Sequence, residues 1–81
     1  MNKKIGLTPT QFEVYKFIVA YHNNEGVYPT VREIGKGTID GEKIINPRAS
    51  PNTVIQILEK LDQRGWIERS PAMARGIYVP T

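Results

Sequence analysis

Eighty-one residues without a cysteine, carrying a formal net charge of +3, make one small domain, near the low end of what folds without covalent staples. The missing cysteines exclude disulfides and thiolate metal sites, and a single histidine, His22, leaves no common zinc ligand set, so no metal or cofactor is expected. An excess of 11 basic over 8 acidic residues favours a polyanionic partner only mildly, because an ordinary solvated surface carries such a balance equally well.

No apolar run approaches the roughly 18–20 residues of a membrane span, and Lys3 and Lys4 have no apolar segment behind them to make a secretory leader. The expected setting, for a chain without cysteine, is reducing and cytoplasmic, with no membrane partner and no small-molecule substrate. Cysteine absence is compatible with other compartments.

Three helix starts follow in chain order, each beside a proline. Thr8-Pro9-Thr10-Gln11 places a capping threonine before a proline at the first helical position, with a glutamine to close the capping box. Phe12, Tyr15, Ile18, Val19 and His22 recur behind it at helical spacing, which predicts a helix over 9–23 with that face buried. Gly26 suits the left-handed position that ends it. His22 falls on the expected buried side and reads as structural.

Pro29 and Thr30-Val31-Arg32-Glu33 form a second capping box. Gly35 and Gly37 keep this helix short, and Val31 and Ile34 are its core contacts. Residues 38–49 then make a connection about three times the 3–4 residue turn of a simple helix-turn-helix. Asp40-Gly41 within it is a hairpin signal, so a small β-excursion or an ordered loop is expected, with Ile44 and Ile45 as anchors.

Ser50-Pro51-Asn52-Thr53 opens the third helix, which carries the clearest amphipathic pattern in the chain. Val54, Ile57, Leu58 and Leu61 form the apolar stripe, and Asn52, Gln56, Glu59, Lys60 and Gln63 lie opposite at 100° per residue. Gly65 closes it after Arg64. The period then changes to that of strands at 66–69 and 76–79, joined by a turn-rich segment. Trp66 reads as a core residue. Three helices followed by a two-stranded wing predict a mainly α domain over 1–81, a winged helix-turn-helix.

Leu7-Thr8, then Tyr28-Pro29-Thr30-Val31-Arg32-Glu33-Ile34-Gly35, then Ser50-Pro51-Asn52-Thr53-Val54 together resemble the N-terminal domain of LexA-type SOS repressors. Leu58-Glu59-Lys60-Leu61, Arg64-Gly65-Trp66-Ile67-Glu68-Arg69 and Arg75-Gly76-Ile77 continue the likeness over nearly the whole chain apart from residues 36–48. The Pro-Thr-Val-Arg-Glu-Ile-Gly run is its most specific piece. Two departures matter. The connection between helices two and three is longer than the family pattern, and the family's C-terminal half, with its self-cleaving serine-lysine site and most of its dimer contact, is absent from this sequence. Autocleavage is therefore not expected of it.

The resemblance implies double-stranded DNA as the partner, with the third helix in the major groove. Asn52 and Gln56 are the leading candidates for base readout, because a terminal amide donates and accepts in one plane, as the adenine edge requires. Thr53 and Ile55 offer methyl groups to thymine. Ser50 at the helix N-terminus is placed for a phosphate, and Arg32, Arg48, Lys60, Arg64, Arg69, Ser70 and Arg75 are backbone candidates that add affinity and register without sequence information. Each has a plainer reading: Asn52 as a first-turn residue, Gln56 as a solvated one, Ile55 as core, Arg69 and Arg75 as surface charges. A second copy on a palindromic site is the expected companion.

Catalysis is not expected. The carboxylate pairs Glu59/Asp62 and Asp40/Glu42 lie on a polar face or in a loop, and Gly35-Lys36-Gly37-Thr38 lacks the spacing of a phosphate-cradling loop. The competing expectation is a winged-helix protein-interaction module, such as a phage antirepressor or replication adaptor, whose insertion at 38–49 blocks the approach to the groove or forms a partner surface.

Overall fold

A computed structural model describes residues 6–70 and 75–80. The lysines of the N-terminus and residues 71–74 of the expected wing connection lie outside the described residues. In chain order the elements are α1 (Pro9–Glu25), α2 (Val31–Lys36), β1 (Thr38–Ile39), β2 (Glu42–Lys43), α3 (Pro51–Gln63), β3 (Glu68–Arg69) and β4 (Ile77–Tyr78). Two antiparallel two-stranded sheets, β1–β2 and β3–β4, accompany the helices, and the whole is a winged helix-turn-helix.

Local chemistry explains the helix boundaries. Thr8 and Thr30 each accept from the backbone N–H three residues on, while Gln11 and Glu33 reach back to the cap N–H, so both capping boxes are complete. Gly26 ends α1 at φ 80° and Gly37 ends α2 at φ 70°, where a side chain would be strained. Ser50 caps α3 in extended conformation, yet its side chain makes no cap hydrogen bond.

The core is built from Val14, Phe17, Ile18, Ile34, Ile39, Ile45, Val54, Ile57, Leu58, Leu61, Ile67 and Ile77. On α3 this is the stripe read from the sequence. On α1 it is not. Val14, Phe17 and Ile18 are fully buried, Tyr15, Val19 and His22 are half-buried, and Phe12 is 47% exposed. The helix carries apolar groups on two stripes that meet at Ile18, and α2 and α3 cover the one containing Val14 and Phe17. The other serves for aromatic packing at the surface. Tyr15 meets Trp66 edge-on at 5.0 Å, and His22 stacks on Tyr28 at 3.9 Å. Only Ile45 of the expected pair anchors the insert, since Ile44 is 44% exposed.

The insert begins as a hairpin with Thr38 opposite Lys43 and Ile39 opposite Glu42. Asp40 at φ 53° and Gly41 at φ 79° supply the two left-handed residues that such a turn needs. Its return path is fastened to α2 and α1. Ile44 and Ile45 donate to the Gly37 carbonyl, at 2.8 and 3.2 Å, and Arg48 N–H donates to the Gly35 carbonyl at 2.7 Å. Asn24 on α1 donates to Asp40 at 2.9 Å, and Glu13 accepts from Asn46 N–H at 3.4 Å. These hydrogen bonds tie the insert to α1 and to the C-terminal end of α2.

Gly37 makes that seat possible. A Cβ there would lie 2.5 Å from the Ile45 carbonyl oxygen, whereas a Cβ on Gly41, also at positive φ, would meet nothing within 4 Å. Gly37→Ala should therefore cost about 1–3 kcal/mol and more than Gly41→Ala, which has the backbone strain without the clash. Urea denaturation of both variants checks this; equal losses would mean that the Ile45 carbonyl yields to the methyl group.

Candidate nucleic-acid interface

Burial of Val54, Ile57, Leu58 and Leu61 turns the opposite side of α3 outward. Asn52, Thr53, Gln56, Glu59, Lys60 and Gln63 are all exposed, and at 100° per residue they share one face. Ile55 is half-buried at its edge. The four residues expected to touch bases thus fall on or beside one continuous surface at the N-terminal half of α3.

Beside that surface lies an open groove of about 700 Å3, lined by α2, the end of the insert and the start of α3. Val31, Pro47 and Pro51 are among its apolar walls, and Arg32, Lys36 and Arg48 bring positive charge to it. Ser50, whose hydroxyl is free of the cap bond, stands next to it in the chain. The first-turn N–H groups and the helix dipole favour an anion at this end of α3.

The expected backbone contacts separate into groups. Arg32, Lys60 and Ser50 are exposed, and among the described residues neither cation is in an ion pair. Lys36, which sequence reasoning passed over as part of a failed phosphate-loop motif, joins them; its spacing of one helical turn from Arg32 was the available signal. Three arginines are engaged by the protein itself. Arg48 pairs with Glu13 at 3.5 Å and donates to the Asn46 carbonyl at 2.9 Å. Arg64 donates to the Gly6 carbonyl at 2.6 Å. Arg75 makes a two-pronged pair with Glu33, at 2.9 and 3.2 Å, and donates to the Tyr28 carbonyl at 2.8 Å. Arg69 and Ser70 are half-buried in the wing, where Ser70 N–H donates to the Gly76 carbonyl at 2.6 Å; the Arg69 Nε is buried without a partner among the described residues.

Glu33 gathers several donors. Burial works to raise its carboxyl, but the Arg75 guanidinium, the Thr30 N–H and the Tyr21 hydroxyl outweigh it and bring the value from 4.5 to about 2. Tyr21 is pushed up, by burial first and then by the Glu33 carboxylate. Since the folded value of Glu33 lies below the unfolded one, its contribution to stability is complete above about pH 4.5 and is lost as pH falls toward 2. Acidification through that window should lower the melting temperature of the wild type more than that of Glu33→Gln. An identical acid loss in both would assign it to other carboxylates.

The chain matches the LexA DNA binding domain family over residues 4–76. The LexA repressor of Anaeromyxobacter dehalogenans (strain 2CP-1 / ATCC BAA-258) is 36% identical over 76 residues, which cover 94% of this chain and 29% of that repressor. The LexA repressors of Staphylococcus carnosus (strain TM300) and Staphylococcus aureus (strain USA300) are each 34% identical over 73 residues, 90% of this chain and 31% of theirs. The chain thus spans about a third or less of the length of these relatives. No helix among the described residues is long and apolar enough to cross a membrane. Because the likeness runs from before α1 into the wing, and includes the helix whose polar face stands free, the chain belongs to the LexA DNA-binding domain family.

Proposed function

We propose that this chain is a sequence-specific double-stranded DNA-binding repressor of transcription, without enzymatic activity, acting in the cytoplasm on a palindromic site occupied by two copies. α3 enters the major groove, Asn52 and Gln56 read bases through their amides, and Thr53 and Ile55 contact thymine methyl groups. Ser50, Arg32, Lys36 and Lys60 hold phosphates on either side, and the wing lies along the backbone through Arg69 and Ser70.

The observation that carries the reading is the exposed polar face of α3, with two exposed amides in its N-terminal half and with Lys60, Arg32 and Lys36 in no ion pair among the described residues. The LexA repressors named above point the same way. The protein-interaction alternative rests on the reuse of winged helices for other partners, with the insert either blocking the approach to the groove or forming a partner surface. The insert's hydrogen bonds to α1 and α2 speak against the blocking form of that alternative.

Selection from random duplex DNA should recover a palindromic motif, bound roughly a thousandfold or more above a scrambled control. Replacing both Asn52 and Gln56 with alanine should reduce discrimination at the bases they read by about 10- to 100-fold, with the melting temperature unchanged. A double variant that kept wild-type affinity and preference would overturn the assignment of α3 as the reading helix.

A further inference from the structure

We propose that Arg75 is a positioning residue and not a phosphate ligand: held by Glu33, it latches the wing to α2 and so fixes the wing relative to the reading face of α3. The inference rests on the DNA-binding reading and assigns to one of its expected backbone contacts a different task.

Three observations carry it. First, the guanidinium is already engaged. Its Nη1 donates to Glu33 Oε1 and to the Tyr28 carbonyl, at 2.9 and 2.8 Å, and its Nη2 donates to Glu33 Oε2 at 3.2 Å. A two-pronged arginine–carboxylate pair fixes direction as well as distance.

Second, the acceptor is itself held. Glu33 Oε1 also accepts from Thr30 N–H at 2.8 Å, as the second half of the α2 capping box. The latch is therefore seated on the N-terminus of α2. The carbonyl of Tyr28 adds a third point, in a segment pinned by the His22 stack.

Third, the wing needs such a contact. Its strands β3 and β4 have two residues each, and a two-stranded ribbon of that length has little stability of its own. Ile67 and Ile77 root its base in the core, but Arg75 lies two residues further out than Ile77, beyond the Ser70–Gly76 bond. Its partner Glu33 is 42 residues away in the chain, so the pair ties the outer wing to the helix-turn-helix directly.

The latch predicts the opposite sign from simple electrostatics. Glu33→Gln removes a negative charge beside the proposed interface and releases a guanidinium. If Arg75 were a phosphate ligand restrained by Glu33, the variant would bind duplex more tightly and with a steeper salt dependence. If the pair is a latch, it binds more weakly. Glutamine also suits the N3 position of a capping box, so α2 keeps its N-terminal cap while the ion pair is lost.

The test is titration of the selected duplex at several salt concentrations with wild type, Glu33→Gln, Arg75→Ala and the double variant, beside amide hydrogen exchange on each free protein. The expected result is a loss of roughly tenfold or more for each single variant, an unchanged salt slope, and a double variant no worse than either single one. Exchange at the Ser70 amide should be faster in Glu33→Gln than in wild type. Tighter binding by Glu33→Gln, or a slope reduced by about 0.9 in Arg75→Ala alone, would make Arg75 a phosphate ligand and overturn the proposal. If wild type prefers no duplex, the DNA-binding reading fails and exchange decides the latch by itself: unchanged Ser70 protection in Glu33→Gln overturns it.

Discussion

Burial of one α3 stripe governs the orientation of everything that follows. Val54, Leu58 and Leu61 are fully removed from solvent and Ile57 nearly so, packed into the same core as Phe17, Ile18 and Ile34. Each such side chain contributes about 1.5–3 kcal/mol when buried, so rotating α3 about its axis would expose several of them together. A helix fixed on one side is fixed on the other. The amides of Asn52 and Gln56 face outward because Val54 and Leu58 face inward, and no polar contact is needed to hold them there. The same core reaches the wing through Ile67 and Ile77, which places the root of β3 and β4 in register with the end of α3.

Around this apolar frame, a few polar and backbone devices solve separate local problems. The two capping boxes end the exposure of N–H groups at the starts of α1 and α2. Gly35 and Gly37 let the insert approach α2 closely enough for backbone hydrogen bonds, which satisfies its polar groups without a core of its own. A longer connection between α2 and α3 is thereby stowed against α1 and α2 while the packing of α2 on α3 is kept. Glu33 takes part in two of these devices, capping α2 and pairing with Arg75.

What could be read from the chain was what local chemistry decides. Thr8, Thr30 and their partners three residues on mark helix starts with no help from the rest of the fold. The α3 stripe has one amphipathic solution, and Asp40-Gly41 has one good turn geometry. The face of α1 was not legible, because Phe12, Tyr15 and Val19 make as good a stripe as Val14, Phe17 and Tyr21; only docking against α2 and α3 chooses between them. For the same reason Ile44 and Ile45 looked alike, although the chain turns one inward and the other out. The outward face of α3 was readable at the level of which residues share it. The partners of the arginines were not, since Arg75 meets Glu33 42 residues away and Arg64 meets a carbonyl 58 residues away.

That last point changes how the basic character of the chain is to be understood. A net charge of +3 treats every cation as equal, whereas the fold divides them. Arg48 and Arg75 are matched by Glu13 and Glu33, so their fields are largely cancelled at a distance. Arg32, Lys36 and Lys60 remain exposed on α2 and α3, in neither of these ion pairs and on the flanks of the polar face. Exposed charges act mainly over about 8–10 Å at ordinary ionic strength, so what a polyanion meets at close range is this local group and not the sum over the molecule. The N-terminus of α3 adds partial positive charge at the same end, where the Ser50 side chain makes no cap hydrogen bond. A modest net charge is therefore compatible with a local group of exposed cations on α2 and α3, because acidic residues such as Glu13 and Glu33 are used to hold arginines in the scaffold.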